Sequence, residues 1–135
     1  FFLHRYDFRA MMKKAVNTTL AMTLGVMFIM AGAVKLLGQP SQVEHFAHWG
    51  YPLWFLYFTG VVEVCGGLCL FIPKAQFWGV MVLSITMVGA AGTHLEAGEF
   101  SAFPIPIVLL CLLLVVAWTM RKPAGNNEEE GIDNE

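Results

Sequence analysis

From Ala15 to Met120 the chain carries only six Lys, Arg, Asp or Glu side chains: Lys35, Glu44, Glu63, Lys74, Glu96 and Glu99. A stretch that long would make a complete soluble domain, and a soluble domain carries about a quarter of its residues as charges. Over the whole chain the charged share is 13% and the hydrophobic share 57%. Such a sequence cannot build the polar shell that a folded chain shows to water. It is equally too apolar to remain disordered, and it lacks the basic face that a nucleic-acid partner requires. What remains is an integral membrane protein, and 135 residues limit it to one compact bundle.

A crossing needs roughly 20 mainly apolar residues to match a hydrocarbon core of about 30 Å. Four stretches qualify: Val16 to Leu37, Pro52 to Ile72, Phe77 to Leu95 and Pro104 to Met120. None alternates like a strand, and in lipid the backbone must satisfy its own polar groups, so each is expected to be a helix. Pro52 and Pro104 suit a first turn, where a missing N–H costs nothing. Pro73 and Pro123 stand just past helix ends, as stops. The first stretch has a basic front and an Ala31-Gly32-Ala33 triplet, but it is long for a signal peptide and is read as a retained span. The expected fold is all-α, an integral membrane four-helix bundle over residues 16–122.

An even number of crossings puts both termini on one side. That side would hold Arg5, Arg9, Lys13, Lys14, Lys74, Arg121 and Lys122, leaving Lys35 alone of the eight basic residues near the other. By the positive-inside rule both termini then face the cytoplasm, matrix or stroma, in a bacterial inner membrane or an organellar one. Trp49, Tyr51, Trp54 and Tyr57 would form the aromatic belt of the outer interface, and Trp78 and Trp118 that of the inner one. Residues 1–15 are a basic segment with Arg5, Arg9 and Lys13 on one helical face, suited to lie in the interface or simply to set topology. Residues 123–135 form an acidic tail, expected to be solvated and disordered.

Within the spans Glu63 is the exception. It lies eleven residues beyond Pro52, roughly 16 Å along a helix, or nearer 10 Å below the aromatic belt. An isolated carboxylate at that depth calls for a partner, and Lys35 and His94 are the candidates near the same end of their spans. The three are expected to form one polar cluster. That cluster can serve as an ion pair fixing helix register, as a site for a quinone headgroup or other small ligand, or as a proton-transfer site. No catalytic residue and no metal site is expected: Glu44, His45 and His48 have a loose metal-ligand spacing in a short loop without a fourth ligand. Cys65 and Cys69, one helical turn apart, read as core packing, because their spacing is not that of a redox pair. Gly25 and Gly32, Gly60, Gly66 and Gly67, and Gly89 and Gly92 are expected to let helices approach closely. Met22, Met27, Met30, Met81 and Met87 share no single face and read as adaptable filler.

Several short motifs occur in an order that resembles a known family. They are Gly32-Ala33-Val34-Lys35-Leu36, then Phe46, Gly50-Tyr51-Pro52 and Trp54-Phe55, then Gly60-Val61-Val62-Glu63-Val64-Cys65-Gly66-Gly67 with Pro73, and last Gly89-Ala90 with Thr93-His94-Leu95. Together they resemble the DoxX-like membrane proteins over roughly residues 20 to 120. The resemblance implies a four-helix bundle and carries Lys35, Glu63 and His94 as its polar residues. It also implies a range of roles: thiosulfate–quinone oxidation or thiol redox work as a small membrane subunit, or assembly work like that of a chaperone of nicotinic acetylcholine receptors. The chain lacks an exposed thiol pair in water, which weighs against thiol redox work. Small size and small-residue helix faces favour a non-catalytic accessory or assembly subunit among other membrane protein subunits. The alternatives are a quinone-linked oxidoreductase subunit, with a quinone or lipid held near Glu63, and a membrane-protein assembly chaperone.

Overall fold

A computed structural model describes residues 2–120, with side chains from residue 7 onward. The acidic tail, Arg121, Lys122 and the side chain of Arg5 therefore lie outside the described residues. Among those described the chain is all-helical, in five helices: α1 Phe2–Leu36, α2 Pro40–His48, α3 Leu53–Phe71, α4 Gln76–Glu96 and α5 Pro104–Met120. Residues 7–36 of α1, all of α3 and all of α4 are long and apolar enough to cross a membrane, and α5 is a shorter apolar helix of 17 residues. Large apolar side chains such as Trp54, Ile85 and Leu114 stand on the outside of the bundle, a surface that suits lipid tails and not water.

Two elements differ from the sequence reading. First, α1 starts at Phe2, so the basic segment is continuous with the first span. At 1.5 Å per residue its 35 residues reach about 53 Å, well beyond a hydrocarbon core of about 30 Å. Lys13 Nζ lies 4.5 Å from the centre of the Trp118 ring, a cation–π contact that ties α1 to the end of α5. Second, the segment expected to be a loop contains α2. Pro40 supplies its first turn, and Phe46 is its buried residue. Pro has a preset φ and no N–H, which suits that position.

The four long helices pack in a ring, α1 against α3, α3 against α4, α4 against α5 and α5 against α1. Two glycine pairs make the α1–α3 seam. A Cβ on Gly32 would fall 2.6 Å from the Gly60 carbonyl oxygen, and one on Gly60 would fall 2.9 Å from the Gly32 oxygen. Seven residues along, a Cβ on Gly25 would meet the Gly67 oxygen at 3.0 Å, and one on Gly67 the Gly25 oxygen at 2.9 Å. The heptad spacing on both antiparallel helices keeps one seam in register. A third close approach, Gly79 of α4 against the Gly66 oxygen at 2.8 Å, joins α3 to α4.

The core lies toward the end of the bundle that carries the α3–α4 turn. Leu24 and Phe28 of α1, Leu70 of α3, Leu83 and Met87 of α4 and Leu113 of α5 are buried there. A polar clamp closes that end: Asn17 Nδ2 donates to Gln76 Oε1 at 3.2 Å and to Thr119 Oγ1 at 3.0 Å. Gln76 Nε2 in turn donates to the Leu70 carbonyl at 3.2 Å. The opposite end, which carries α2, is built differently.

Candidate functional site

Between the core and α2 the helices line a partly open cavity of about 670 Å³, a size that holds small ligands. Its apolar floor includes Phe28, Met87 and Leu109, and its far side is made by Phe46, Trp49 and Phe55. Lys35, Glu63, His94 and Glu99 all line it.

Lys35 Nζ and Glu63 Oε2 are 2.9 Å apart, with their side chains 14% and 5% exposed. The glycine seam explains the pairing. Lys35 follows Gly32 by three residues and Glu63 follows Gly60 by three, so the contact of those glycines brings the two side chains within reach across the seam. Lys35 also stands in the last turn of α1, where a cation complements the helix dipole. Deep in a bundle, neither charge would be tolerable without the other.

His94 takes a different partner. Its Nδ1 lies 2.8 Å from Glu99 Oε2, and the other oxygen, Glu99 Oε1, accepts from Trp49 Nε1 at 3.1 Å. The local backbone dictates this. Gly98, at φ 73°, ends α4 in a left-handed turn, and the Glu99 N–H bonds back to the His94 carbonyl at 2.9 Å. That is a Schellman closure, which reverses the chain and returns residue 99 to the level of residue 94. Gly50, at φ 82°, repeats the device after α2, with the Tyr51 N–H bonding the Phe46 carbonyl at 2.9 Å. The bonds from His94 and Trp49 hold the Glu99 carboxyl below its ordinary 4.5, so it is ionised at neutral pH. An ionised carboxylate only accepts, which places the shared proton on His94 Nδ1 and leaves Nε2 as the ring nitrogen open to another partner.

Tyr51 Oη and Thr93 Oγ1 are 2.8 Å apart, while Thr93 Oγ1 donates to the Gly89 carbonyl at 3.0 Å. A threonine has one proton, so the tyrosine is the donor of the pair. Gly89 itself lines the cavity, and a Cβ built on it would meet nothing within 4 Å.

The sequence-selected residues thus fall into two pairs on one cavity. Lys35 and Glu63 meet each other, and His94 meets Glu99. Glu99, Trp49 and Tyr51 enter the site unforeseen: the first had been read only as a loop charge, the other two as belt residues. The glycine four residues after Phe46 and the one four after His94, a helix-ending signal, could have revealed the turns that place them. Of the expected outer belt, Trp54 and Tyr57 do face outward, but Trp49 and Tyr51 turn in.

Three packing expectations are corrected. Cys65 faces out of the bundle, while Cys69 is half-buried and packs beside Gly79 in the α3–α4 seam. Gly89 and Gly92 touch no neighbouring helix. Of the methionines, Met87 alone is core, while Met22, Met30 and Met81 face outward. Among the described residues no three His, Cys, Asp or Glu side chains are grouped as a metal would need.

Residues 19–116 match the DoxX-like family. A Bacillus subtilis (strain 168) protein, the uncharacterized protein YdgD, is 31% identical over 108 residues, which cover 75% of this chain and 92% of that relative. No solved structure matches the chain at a significant level.

Proposed function

The chain belongs to the DoxX-like family, and from that premise and the cavity we propose that it binds a small amphiphilic molecule, a quinone, a lipid or another small ligand, inside its bundle. The observation that carries this reading is a cavity of about 670 Å³ with an apolar floor and two polar pairs, Lys35–Glu63 and His94–Glu99, on its walls. Ligand sites have this make-up: an apolar body that buries most of the ligand and a few convergent polar groups that orient it. The ligand's polar part would lie between the two pairs and its apolar part against Phe28, Met87 and Leu109.

This reading takes precedence over that of an accessory or assembly subunit. The small-residue faces that favoured a partner are used inside the bundle, Gly32 on Gly60, Gly25 on Gly67 and Gly66 on Gly79. In the membrane, α1, α3, α4 and α5 would each cross once, with both termini on the side of Lys13, Lys14 and Lys74, the cytoplasmic or organellar interior. Impermeant maleimide labelling of a cysteine-free variant checks this: a cysteine at position 98 reacts from outside intact cells and one at position 74 does not.

The binding reading is tested by purification in mild detergent, followed by extraction and mass spectrometry. Wild-type protein is expected to carry a small amphiphile in near-stoichiometric amount, and Glu63→Gln to lose most of it. Wild-type protein that carries none, and binds neither a short-chain benzoquinone nor a lysolipid, overturns the reading.

A further inference from the structure

The cavity's hydrogen-bonding inventory is one-sided. Three threonine hydroxyls line it, and each donates its single proton to its own helix: Thr59 to the Phe55 carbonyl at 2.8 Å, Thr86 to Val82 at 2.9 Å and Thr93 to Gly89 at 3.0 Å. What they offer to a ligand is lone pairs. The Trp49 N–H is committed to Glu99 and the Tyr51 O–H to Thr93. His94 is bonded through Nδ1, and its Nε2 has no bond among the described residues. Glu63 engages Lys35 through Oε2, and its other oxygen has no bond among the described residues. The donors that remain are those of Lys35, Gln42 and His45.

Charge points the same way. Lys35 and Glu63 cancel as a pair. Of the Lys, Arg, Asp and Glu side chains on the wall, the Glu99 carboxylate is the one left without an opposite charge of that kind. Beside it stands a contiguous aromatic wall: Phe46 has ring centres at 5.3 Å from Trp49, 6.0 Å from Tyr51 and 6.1 Å from Phe55. Trp49 also lies edge-on to His94 at 5.4 Å. Aromatic faces next to a carboxylate in a partly desolvated site attract cations.

We propose that the ligand of this cavity is an organic cation: a protonated amine on an apolar body, its N–H groups given to the threonine and carboxylate acceptors, its charge facing Glu99 and the aromatic wall. This rests on the reading that the cavity binds a small amphiphile, and it selects within that reading. A quinone carbonyl can only accept, and so would find few free donors here. A protonated amine supplies what the wall lacks.

Three probes of like size separate the cases: 4-phenylbutylamine, its uncharged isostere 4-phenylbutan-1-ol and a short-chain benzoquinone, each titrated at pH 7 by equilibrium dialysis against the purified full chain in nanodiscs. The amine is expected to bind at least about tenfold more tightly than the alcohol or the quinone, the scale of one charge-assisted hydrogen bond. Glu99→Gln is expected to erase that preference, so that the amine binds no more tightly than the alcohol. Should Glu99→Gln not fold, Phe55→Leu serves, and is expected to weaken the amine about fivefold through loss of the ring face. An alcohol or quinone that binds as tightly as the amine overturns the cation assignment and leaves the binding reading standing. If none of the three binds, and no amphiphile is extracted from the wild-type protein, both fall.

Discussion

The two halves of this bundle use the same residue for opposite ends. Toward the α3–α4 turn, glycines at 25, 66, 67 and 79 press backbone on backbone, and leucines fill what space remains. Toward α2, Gly89 lines a partly open cavity of about 670 Å³, and a Cβ built on it would meet nothing within 4 Å. Gly32 and Gly60 reach into that second half, but their role is to set Lys35 beside Glu63. Lipid tails are as apolar as any core, so closing a bundle in a membrane depends on close contact and not on escape from water. A half that gives up such contact has been left loose, and charged side chains are affordable there only because each finds a partner.

The contrast can be broken most severely at the ion pair. Lys35→Ala leaves Glu63 buried and uncompensated, and a loss of about 3–5 kcal/mol is expected by thermal or chemical unfolding in detergent. The paired replacement of Lys35 by Met and Glu63 by Leu should recover much of it, since neither charge is then stranded. Gly32→Val comes next: its side chain must displace the Gly60 backbone, for an expected loss of about 1–3 kcal/mol. At Gly89 the same unfolding measurement should show the opposite sign, with Gly89→Ala stabilising by up to about 1 kcal/mol through helix propensity alone. A large loss at Gly89 would erase the distinction between the halves.

Smaller effects sharpen it. Asn17→Leu opens the clamp to Gln76 and Thr119 and is expected to cost about 1 kcal/mol, a usual value for hydrogen bonds between helices in a membrane. The smallest is an acid effect confined to the α2 end. Glu99 has its folded value lowered below 4.5 by His94 and Trp49, so the stability it lends is fully present above 4.5 and lost as pH falls through the lowered value. A variant keeping Trp49 as its sole tryptophan should show a fluorescence change below pH 4.5 that is absent in Glu99→Gln.

The spans were readable because lipid imposes a simple rule: about 20 apolar residues, helical throughout. Their packing was only half readable. Small residues mark where helices can meet, and Gly32, Gly60 and Gly67 do meet neighbours. Gly89 carries the same signal and meets none, because whether a glycine faces a helix or a void depends on the rotation of its helix, which the apolar stretches of α4 do not encode. For the site, rarity of charge picked out Lys35 and Glu63. Glu99 escaped because it lies past the helix end, and only the left-handed turn at Gly98 returns it to His94. The helix α2 escaped because nine residues with two histidines and a glutamate read as loop, although Pro40 and Gly50 bracket it.

The central claim is that the α2 half is open in order to hold a molecule. Filling that space tests it directly: Gly89→Leu grows a large side chain from a position where a Cβ would meet no neighbouring side chain or helix within 4 Å. Wild-type protein and the variant would be purified in parallel and their bound small molecules counted by extraction and mass spectrometry. The expected result is a near-stoichiometric amphiphile in the wild type and its loss in a variant that unfolds at the wild-type temperature or above. A bound molecule retained at full occupancy in the filled variant would contradict the claim.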